Sequence, residues 1–180
     1  MLKLSDTWNW YYDEDKSSLM LEISEDMVFR SDLPRKVLIE SAFTPQPFSV
    51  EDADIYHVFQ DSVKGLPLSI PRQAELVLKA VTVKRFHKPV QPKSWFFETQ
   101  SAGYQPQEGE IVELQNEYNT GHFMVVESSK TASIVISVST EDFYLTGSKA
   151  MSFCEPIKVM HDRMRSANAM FCQSHIQMVS

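Results

Sequence analysis

Three scarcities limit the classes of protein to which this sequence of 180 residues can belong. Its only cysteines, Cys154 and Cys172, are too few for a disulfide framework and lack the C-x-x-C spacing of zinc and redox sites. No apolar run approaches the ~20 residues that cross a bilayer. The N-terminus turns polar by Ser5, unlike a signal peptide. We therefore expect a cytoplasmic protein with two reduced, packed thiols and no membrane among its partners.

Glycine is also scarce, with 5 residues, while apolar residues make up 43% and charged residues 23% of the chain. These proportions are typical of a globular protein rather than a disordered or fibrous one. The net charge of −7 argues against a general role in binding nucleic acids or membrane surfaces, because both are polyanions.

Motifs that carry chemistry are missing as well. Asp13, Asp15 and Ser17 alternate as the first ligands of a Ca²⁺ loop do. However, Ser18 and Ser24 stand where an EF-hand loop needs glycine and glutamate. We predict an acidic hairpin turn there instead.

A second weak signal, Gly147-Ser148-Lys149, resembles part of a phosphate loop, but Asp142 stands where that motif needs its first glycine. We predict a turn at this place. No two histidines are spaced as metal ligands on one element are, and no G-x-S-x-G, H-E-x-x-H or G-x-G-x-x-G motif occurs. The sequence thus predicts no catalytic residue, no metal site and no cofactor, and therefore a protein that is not an enzyme.

The first half of the chain predicts a small antiparallel meander. Aromatic and alternating apolar residues favour strands at 8–12, 19–23 and 27–30. A meander this small needs helical cover to be stable.

Two predicted helices supply that cover. Ser49 is the expected N-cap of the first helix, with Asp52 at N3 forming an imperfect capping box and Gly65 as the stop. The second helix begins near Pro71, carries a broad apolar stripe and must end before Pro89.

From Ser94 onward, short alternating segments and turn clusters replace the helix signals, which indicates a twisted, barrel-like β domain. Residues 157–163 fit either a sixth strand or a short helix. The predicted fold class is α+β, with a small α/β domain over residues 1–88, a β-barrel-like domain over 89–166 and a flexible tail over 167–180. The five strands predicted in the second domain are 95–99, 110–115, 122–127, 133–139 and 143–146.

The stretch KRFHKPVQPKSW, residues 84–95, lies where helix signals give way to strand signals, and it gathers positive charge. Cations in the last turn of the second helix would complement the helix dipole, which explains only part of the excess. Lys88 and Lys93 lie at or beyond the helix end, next to the aromatic run that starts at Trp95. Between Glu75 and Glu98 the charged residues are all basic: Lys79, Lys84, Arg85, Lys88 and Lys93.

Residue chemistry leaves three interpretations of this basic stretch open. It is purely structural, or it binds a peptide that has acidic and apolar residues, or it stacks single-stranded nucleic acid through Lys88, Lys93 and Trp95 on an OB-like barrel. The acidic net charge disfavours the third interpretation.

The same stretch extends into KPVQPKSWFF, residues 88–97, which resembles the K-P-x-x-P-K-S-W-x-F signature of the ZapC family of bacterial cell-division proteins. The turn near residue 155 departs from the family pattern, because Cys154-Glu155-Pro156 replaces Gly-Asp-Ala and His161 replaces an Asn-like residue. Five further segments resemble that family in the same order, and the likeness covers about residues 1–165: WNWYYDED, MVFRS, AELVLKA, VVES and IKVMHDRM.

The resemblance implies a protein that binds the tubulin-like GTPase FtsZ directly, promotes the lateral association of its protofilaments and lowers its GTP turnover. It implies a place at the midcell division ring, and an N-terminal α/β domain followed by a twisted, barrel-like β domain, each with a pocket. We expect a monomer that does not bind nucleic acid.

By motif match, the basic rim of the apolar C-terminal pocket falls to Lys88, Lys93 and Arg163, and we expect Trp95 to be its aromatic anchor. An N-terminal functional position falls to Leu21, which also fits a core position by its strand pattern. An acidic, partly apolar FtsZ surface would be attracted by the rim and held by the apolar floor.

Overall fold

The computed structural model describes residues 2–100 and 102–171. By the density of contacts, the described chain divides into two compact units, and each unit contains its own antiparallel sheet. Helices and sheets together confirm the predicted α+β class. The first unit comprises residues 2–60 and 69–89, and the second comprises residues 61–68 and 90–171.

The first unit contains a four-stranded antiparallel sheet in the order β3-β2-β1-β4. The three strands predicted from alternation are confirmed, whereas the short fourth strand has no sequence pattern and was not predicted. The strands are β1 (Asn9–Asp13), β2 (Ser18–Ser24), β3 (Met27–Arg30) and β4 (Gln46–Pro47).

Helices α1 (Val50–Val63) and α2 (Ile70–Phe86) confirm the two predicted helices. The capping box at the start of α1 is also confirmed. The amide of Asp52 donates to Oγ of Ser49 at 3.1 Å, and the amide of Ser49 donates to Oδ2 of Asp52 at 2.9 Å. Two otherwise unpaired backbone donors are thereby satisfied.

The core of the first unit is rich in aromatic rings. Trp8 is 1% exposed and Trp10 is fully buried, and each makes edge-to-face contacts with a helix residue. The ring centroids of Trp8 and Tyr56 of α1 lie 6.2 Å apart, and those of Trp10 and Phe86 of α2 lie 5.1 Å apart. The WNWYY stretch therefore anchors the sheet against both helices.

The fully buried carboxylate of Asp52 links this core to the cap of α1. It accepts a hydrogen bond from Nε1 of Trp10 at 3.0 Å and forms an ion pair with Nε of Arg85. Two of the five cations between Glu75 and Glu98 thus have interior partners, because Lys79 is only 7% exposed and its ammonium donates to the carbonyl of Ser31. The charge excess predicted there is smaller on the surface than in the sequence.

The second unit is built on a five-stranded antiparallel sheet in the order β10-β7-β6-β5-β11. A separate two-stranded ribbon pairs β8 with β9. The strands are β5 (Ile111–Gln115), β6 (Thr120–Ser128), β7 (Ala132–Ser137), β8 (Phe143–Tyr144), β9 (Ala150–Met151), β10 (Pro156–Met160) and β11 (Arg165–Ser166).

The five-stranded sheet is strongly curled but is not closed into a barrel. Its edge strands β10 and β11 follow each other in the sequence, joined by residues 161–164. In a flat five-stranded sheet, the two edge strands would lie roughly 19 Å apart. A connection that includes the 3₁₀ turn His161–Arg163 is too short for that distance, because such a turn rises only about 2 Å per residue. The two edges must therefore curl toward each other.

Two strand predictions in this unit need correction. Residues 95–99 do not form a strand, because Ser94–Phe96 forms a 3₁₀ turn and the segment pairs with no strand as a ladder. Of the predicted strand 143–146, only Phe143 and Tyr144 pair. Both segments are rich in aromatic residues, which favour strands, but the remaining residues of each segment make single backbone hydrogen bonds rather than a ladder.

Most of the predicted flexible tail, and Cys172 with it, lies outside the described residues. In its described part, Ala167 is 8% exposed and its amide donates to the carbonyl of Ile111 at 2.8 Å. Oδ1 of Asn168 accepts from the amide of Ile111 at 2.7 Å. Residues 167 and 168 are therefore held against β5.

Candidate functional site

The residues predicted to form one site fall in both units. Lys93, Trp95 and Arg163 belong to the second unit, whereas Lys88 and Leu21 belong to the first. We describe the second unit's three residues first, because one segment connects them.

Residues 93–100, which we call the connecting segment, are held by hydrogen bonds to β10 and β5. The amide of Lys93 donates to the carbonyl of Lys158 in β10 at 2.8 Å, and Oγ of Ser94 accepts from the amide of Met160 at 2.9 Å. Farther along, the amide of Glu98 donates to the carbonyl of Gln115 in β5 at 2.8 Å. The connecting segment is therefore fixed to two strands of the curled sheet.

Side chains of the connecting segment point in opposite directions over three consecutive positions. Phe97 is 3% exposed and belongs to the core of the second unit, where its ring centroid lies 5.8 Å from that of Phe143. Trp95 is 70% exposed, and Phe96 is half-buried between these extremes. Large aromatic side chains are costly to leave in water, so Trp95 is the exposed aromatic residue that needs an explanation.

Three basic side chains accompany the connecting segment. Lys93 is exposed. Lys158 lies in β10 between the buried Ile157 and Val159, so its side chain points to the opposite face of the strand. Nη1 of Arg163 donates to the carbonyl of Phe97 at 2.7 Å, and its Nε pairs with Oδ1 of Asp162 at 3.2 Å. Arg163 is thus partly used in holding the connecting segment, while Lys93 is exposed and Lys158 is half-buried.

Trp95 lines an open groove of about 480 Å³ in the second unit. The groove has aromatic and apolar walls, with the Trp95 and Phe96 ring centroids 5.4 Å apart. Two exposed carboxylates, those of Glu98 and Glu117, lie in the same lining. The remaining lining residues are Phe97, Asn116, Tyr118, Leu145 and Thr146.

Charged side chains lie next to two aromatic residues of the groove lining, Tyr118 and Phe96. A hydrogen bond from Tyr118 to Glu117 and the carboxylate charge raise the pKa of the Tyr118 phenol. The ammonium of Lys149 lies 5.3 Å from the ring centroid of Phe96, within the range of a cation–π contact. The groove side of the connecting segment therefore carries negative charge, whereas Lys93 and Lys158 give it positive charge elsewhere.

The first unit's two candidates differ in exposure. Lys88 is exposed, and its amide donates to the carbonyl of Val37 at 2.7 Å. Leu21 is fully buried in β2 and pairs with Trp10 across the ladder. Its side chain therefore presents no surface that a partner could touch.

Sequence reasoning missed several residues of this site. Lys158, Glu117 and Tyr118 come close to the connecting segment because its backbone forms hydrogen bonds to β10 and β5, which residue spacing does not reveal. One signal for Lys158 was available, since the alternation of Ile157 and Val159 predicts that Lys158 points outward if the segment is a strand.

The weak motifs for chemistry fold as turns. The amide of Leu145 donates to the carbonyl of Lys149 at 2.8 Å, so Gly147-Ser148-Lys149 lies in the predicted turn between β8 and β9. Asp13 accepts from the amide of Lys16 in the hairpin turn between β1 and β2. Within the described ranges, no three His, Cys, Asp or Glu side chains form a group that could hold a metal ion.

His161 is a buried histidine of the second unit. It is 5% exposed, and one of its ring nitrogens, Nε2, lies 2.9 Å from Oγ of Ser133. Its Nδ1 is buried without a hydrogen-bond partner in the described structure. Burial lowers the pKa of His161. Because it lies in the turn between β10 and β11, we assign it to the curl of the sheet rather than to the groove.

Comparisons with known proteins cover both halves of the chain. A family model described as "Cell-division protein ZapC, N-terminal" matches residues 1–88, and one described as "Cell-division protein ZapC, C-terminal" matches residues 89–170. No helix in the described part of the chain is both long and apolar enough to cross a bilayer.

Similar curated proteins carry the name "Cell division protein ZapC". The protein from Aliivibrio salmonicida is 56% identical over 164 residues, which cover 91% of this chain and 92% of that protein. The one from Vibrio cholerae is 45% identical over 180 residues, covering 100% of both. The one from Vibrio vulnificus is 48% identical over 170 residues, covering 94% of both.

Proposed function

The chain belongs to the family of the cell-division protein ZapC, and from this premise we propose that it binds FtsZ polymers directly and promotes lateral association of their protofilaments. The observation that carries the proposal is the exposed Trp95 on a segment fixed to two strands, with Lys93 and Lys158 beside it. Exposed aromatic anchors on rigid supports are typical of protein interfaces, where a few such residues supply most of the binding energy.

The charge of this surface determines which kind of partner surface it attracts. An acidic FtsZ surface would be attracted by Lys93 and Lys158 of the second unit, and Trp95 would then be buried against apolar partner residues. The exposed Lys88 gives the first unit a positive charge for a contact of its own. In this proposal the protein binds FtsZ in the cytoplasm at the midcell division ring, where FtsZ polymers assemble.

Bundling requires two contacts with FtsZ for each bundling protein. In our proposal the protein is a monomer, and each unit supplies one contact. Lower GTP turnover then follows by linkage, because a protein that binds the polymerised state more tightly than the free subunit shifts the equilibrium toward the polymer. The chain needs no catalytic activity of its own for this effect.

Single-stranded nucleic acid, the alternative partner considered from the sequence, is not favoured by the groove. Glu98 and Glu117 line the same groove as Trp95, and their carboxylates would repel the phosphates of a strand that stacked on this ring.

Co-sedimentation with purified FtsZ and GTP tests the proposal. We expect the protein to increase the amount of FtsZ that pellets, and we expect Lys88→Glu combined with Lys93→Glu to weaken co-pelleting roughly three- to tenfold at low salt. The difference should shrink as salt screens the charges.

Lys16→Glu combined with Lys130→Glu is the matched control. It changes one exposed lysine in each unit by the same charge, away from the proposed contacts, and should pellet FtsZ as the unchanged protein does. An unchanged amount of pelleted FtsZ with the unmodified protein would contradict the proposal outright. Equal losses in the two double variants would remove the role of Lys88 and Lys93.

A further inference from the structure

The groove beside the connecting segment has a charge opposite to that of the lysines on this segment. Its lining contains the carboxylates of Glu98 and Glu117, and among the described residues neither carboxylate forms an ion pair. We propose that this groove binds a peptide segment of a partner protein in which an arginine or lysine stands next to a large apolar residue. This inference shares Trp95 with the proposed FtsZ contact but concerns the groove side of that residue, where the two carboxylates lie, and it does not depend on FtsZ being the partner.

The aromatic walls are the first part of the argument. Trp95 is 70% exposed and Tyr118 is 50% exposed, and both line the groove. An aromatic ring whose face is open to solvent attracts a cation through its quadrupole, and the guanidinium of arginine also stacks on such rings. A groove with these two rings and two carboxylates therefore complements a positive side chain, both through its aromatic faces and through its negative charge.

The protein itself places a cation on one wall. Lys149, in the turn between β8 and β9, holds its ammonium 5.3 Å from the centroid of the Phe96 ring. This contact pairs one aromatic residue of the groove lining with a cation. One lysine does not balance two carboxylates, so the part of the groove between Trp95, Glu98 and Glu117 keeps net negative charge.

The apolar floor of the groove would contact an apolar side chain next to the partner's cation. Leu145 and Phe97 also line the groove, and both belong to the buried core of the second unit, where Leu145 is 6% exposed. A leucine or phenylalanine next to the partner's cation would cover this apolar floor, and removing that surface from water favours binding. Anionic peptides and nucleic acids would place their charge against Glu98 and Glu117 instead.

Trp95 is a built-in reporter for the test. The chain has three tryptophans, of which Trp8 and Trp10 are buried in the first unit, so a neutral quencher such as acrylamide reaches chiefly Trp95. The probe is the peptide acetyl-Gly-Leu-Arg-Leu-Gly-amide, added to the full-length protein while quenching is measured. Its counterpart, with glutamate in place of arginine, is titrated in parallel.

We expect the arginine peptide to protect Trp95 from the quencher with a dissociation constant in the range of about a millimolar, and the glutamate peptide to give no protection. Glu98→Gln combined with Glu117→Gln should weaken the binding of the arginine peptide roughly two- to tenfold. Lys149→Gln should strengthen it, because a competing cation is removed.

Glu127→Gln combined with Glu141→Gln is the matched control, since both residues are exposed and outside the groove lining. This variant should bind the arginine peptide as the unmodified protein does. Equal protection by the two peptides, or no protection by the arginine peptide up to about ten millimolar, would overturn the inference. So would equal weakening in the two glutamine variants.

Discussion

The two aromatic clusters of this protein look alike in sequence but differ in what they do. In WNWYY, Trp8 and Trp10 point into the first unit and are almost completely buried. In SWFF, only Phe97 points into the core of the second unit, and Trp95 remains 70% exposed. Each cluster lies near charged residues, yet the first stabilises a fold and the second offers a surface.

The backbone explains the difference. Trp8 and Trp10 are two residues apart at the start of a sheet, so both side chains point to the face that α1 and α2 cover. Trp95 lies in a 3₁₀ turn fixed by hydrogen bonds to β10, and this turn directs Trp95 and Phe97 differently. Aromatic content alone therefore does not separate a core from an interface; the type of backbone that carries it does.

The largest effect is expected on the stability of the first unit, which contains the buried aromatic cluster. Leu21→Ala should lower the free energy of unfolding of the first unit by about 2–5 kcal/mol, because Leu21 is fully buried opposite Trp10. Urea denaturation followed by tryptophan fluorescence measures the change, since Trp8 and Trp10 become exposed when this unit unfolds.

Met27→Ala is the matched control for Leu21→Ala, because Met27 is 47% exposed on the neighbouring strand and should change stability by less than about 0.5 kcal/mol. We propose that Leu21 affects FtsZ bundling only through this stability. A Leu21→Ala protein that is as stable as the unmodified one but fails to bundle FtsZ would mean that Leu21 has a direct role.

A second, smaller effect concerns the curl of the sheet that supports Trp95. Burial lowers the pKa of His161 in the folded state, so the unfolded chain binds this proton more readily than the folded protein does. The unfolding free energy of the second unit should therefore fall as the pH drops below about 6.5, the ordinary histidine value. Hydrogen exchange of the amides in β7 and β10, measured between pH 7 and 5, reports this fall.

His161→Asn removes the titrating group and should flatten that pH dependence, leaving the losses due to carboxylates below about pH 5. The amides of β1 and β2 in the first unit serve as an internal control and should not respond to the substitution. An equally steep dependence in the variant would assign the effect to other groups.

Sequence patterns predicted much of this fold because local rules governed those parts. The strands β1 to β3, both helices and the capping box of Ser49 and Asp52 follow from alternation, helical spacing and side-chain caps. Residues 95–99 were wrongly predicted as a strand because an aromatic run favours a strand without showing whether a ladder partner exists. The open but curled sheet follows from strand order, which has no local signature.

The candidate site was only partly predictable for the same physical reason. Trp95 and Lys93 were identified from one continuous stretch, whereas Lys158, Glu117 and Tyr118 come close to it because the backbone of the connecting segment forms hydrogen bonds to β10 and β5. Burial of Lys79 and pairing of Arg85 with Asp52 could not be read from a count of charges either. The surface charge of the basic stretch was therefore overestimated.

The most direct test of the account is Trp95→Ala, examined for stability and for FtsZ co-sedimentation on the same preparation. We predict an unfolding free energy within about 0.5 kcal/mol of that of the unmodified protein, because Trp95 is exposed. We predict at the same time a clear loss of FtsZ from the pellet, because an exposed aromatic anchor is removed. A stable Trp95→Ala protein that pellets FtsZ as well as the unmodified protein would contradict the assignment of this surface to binding.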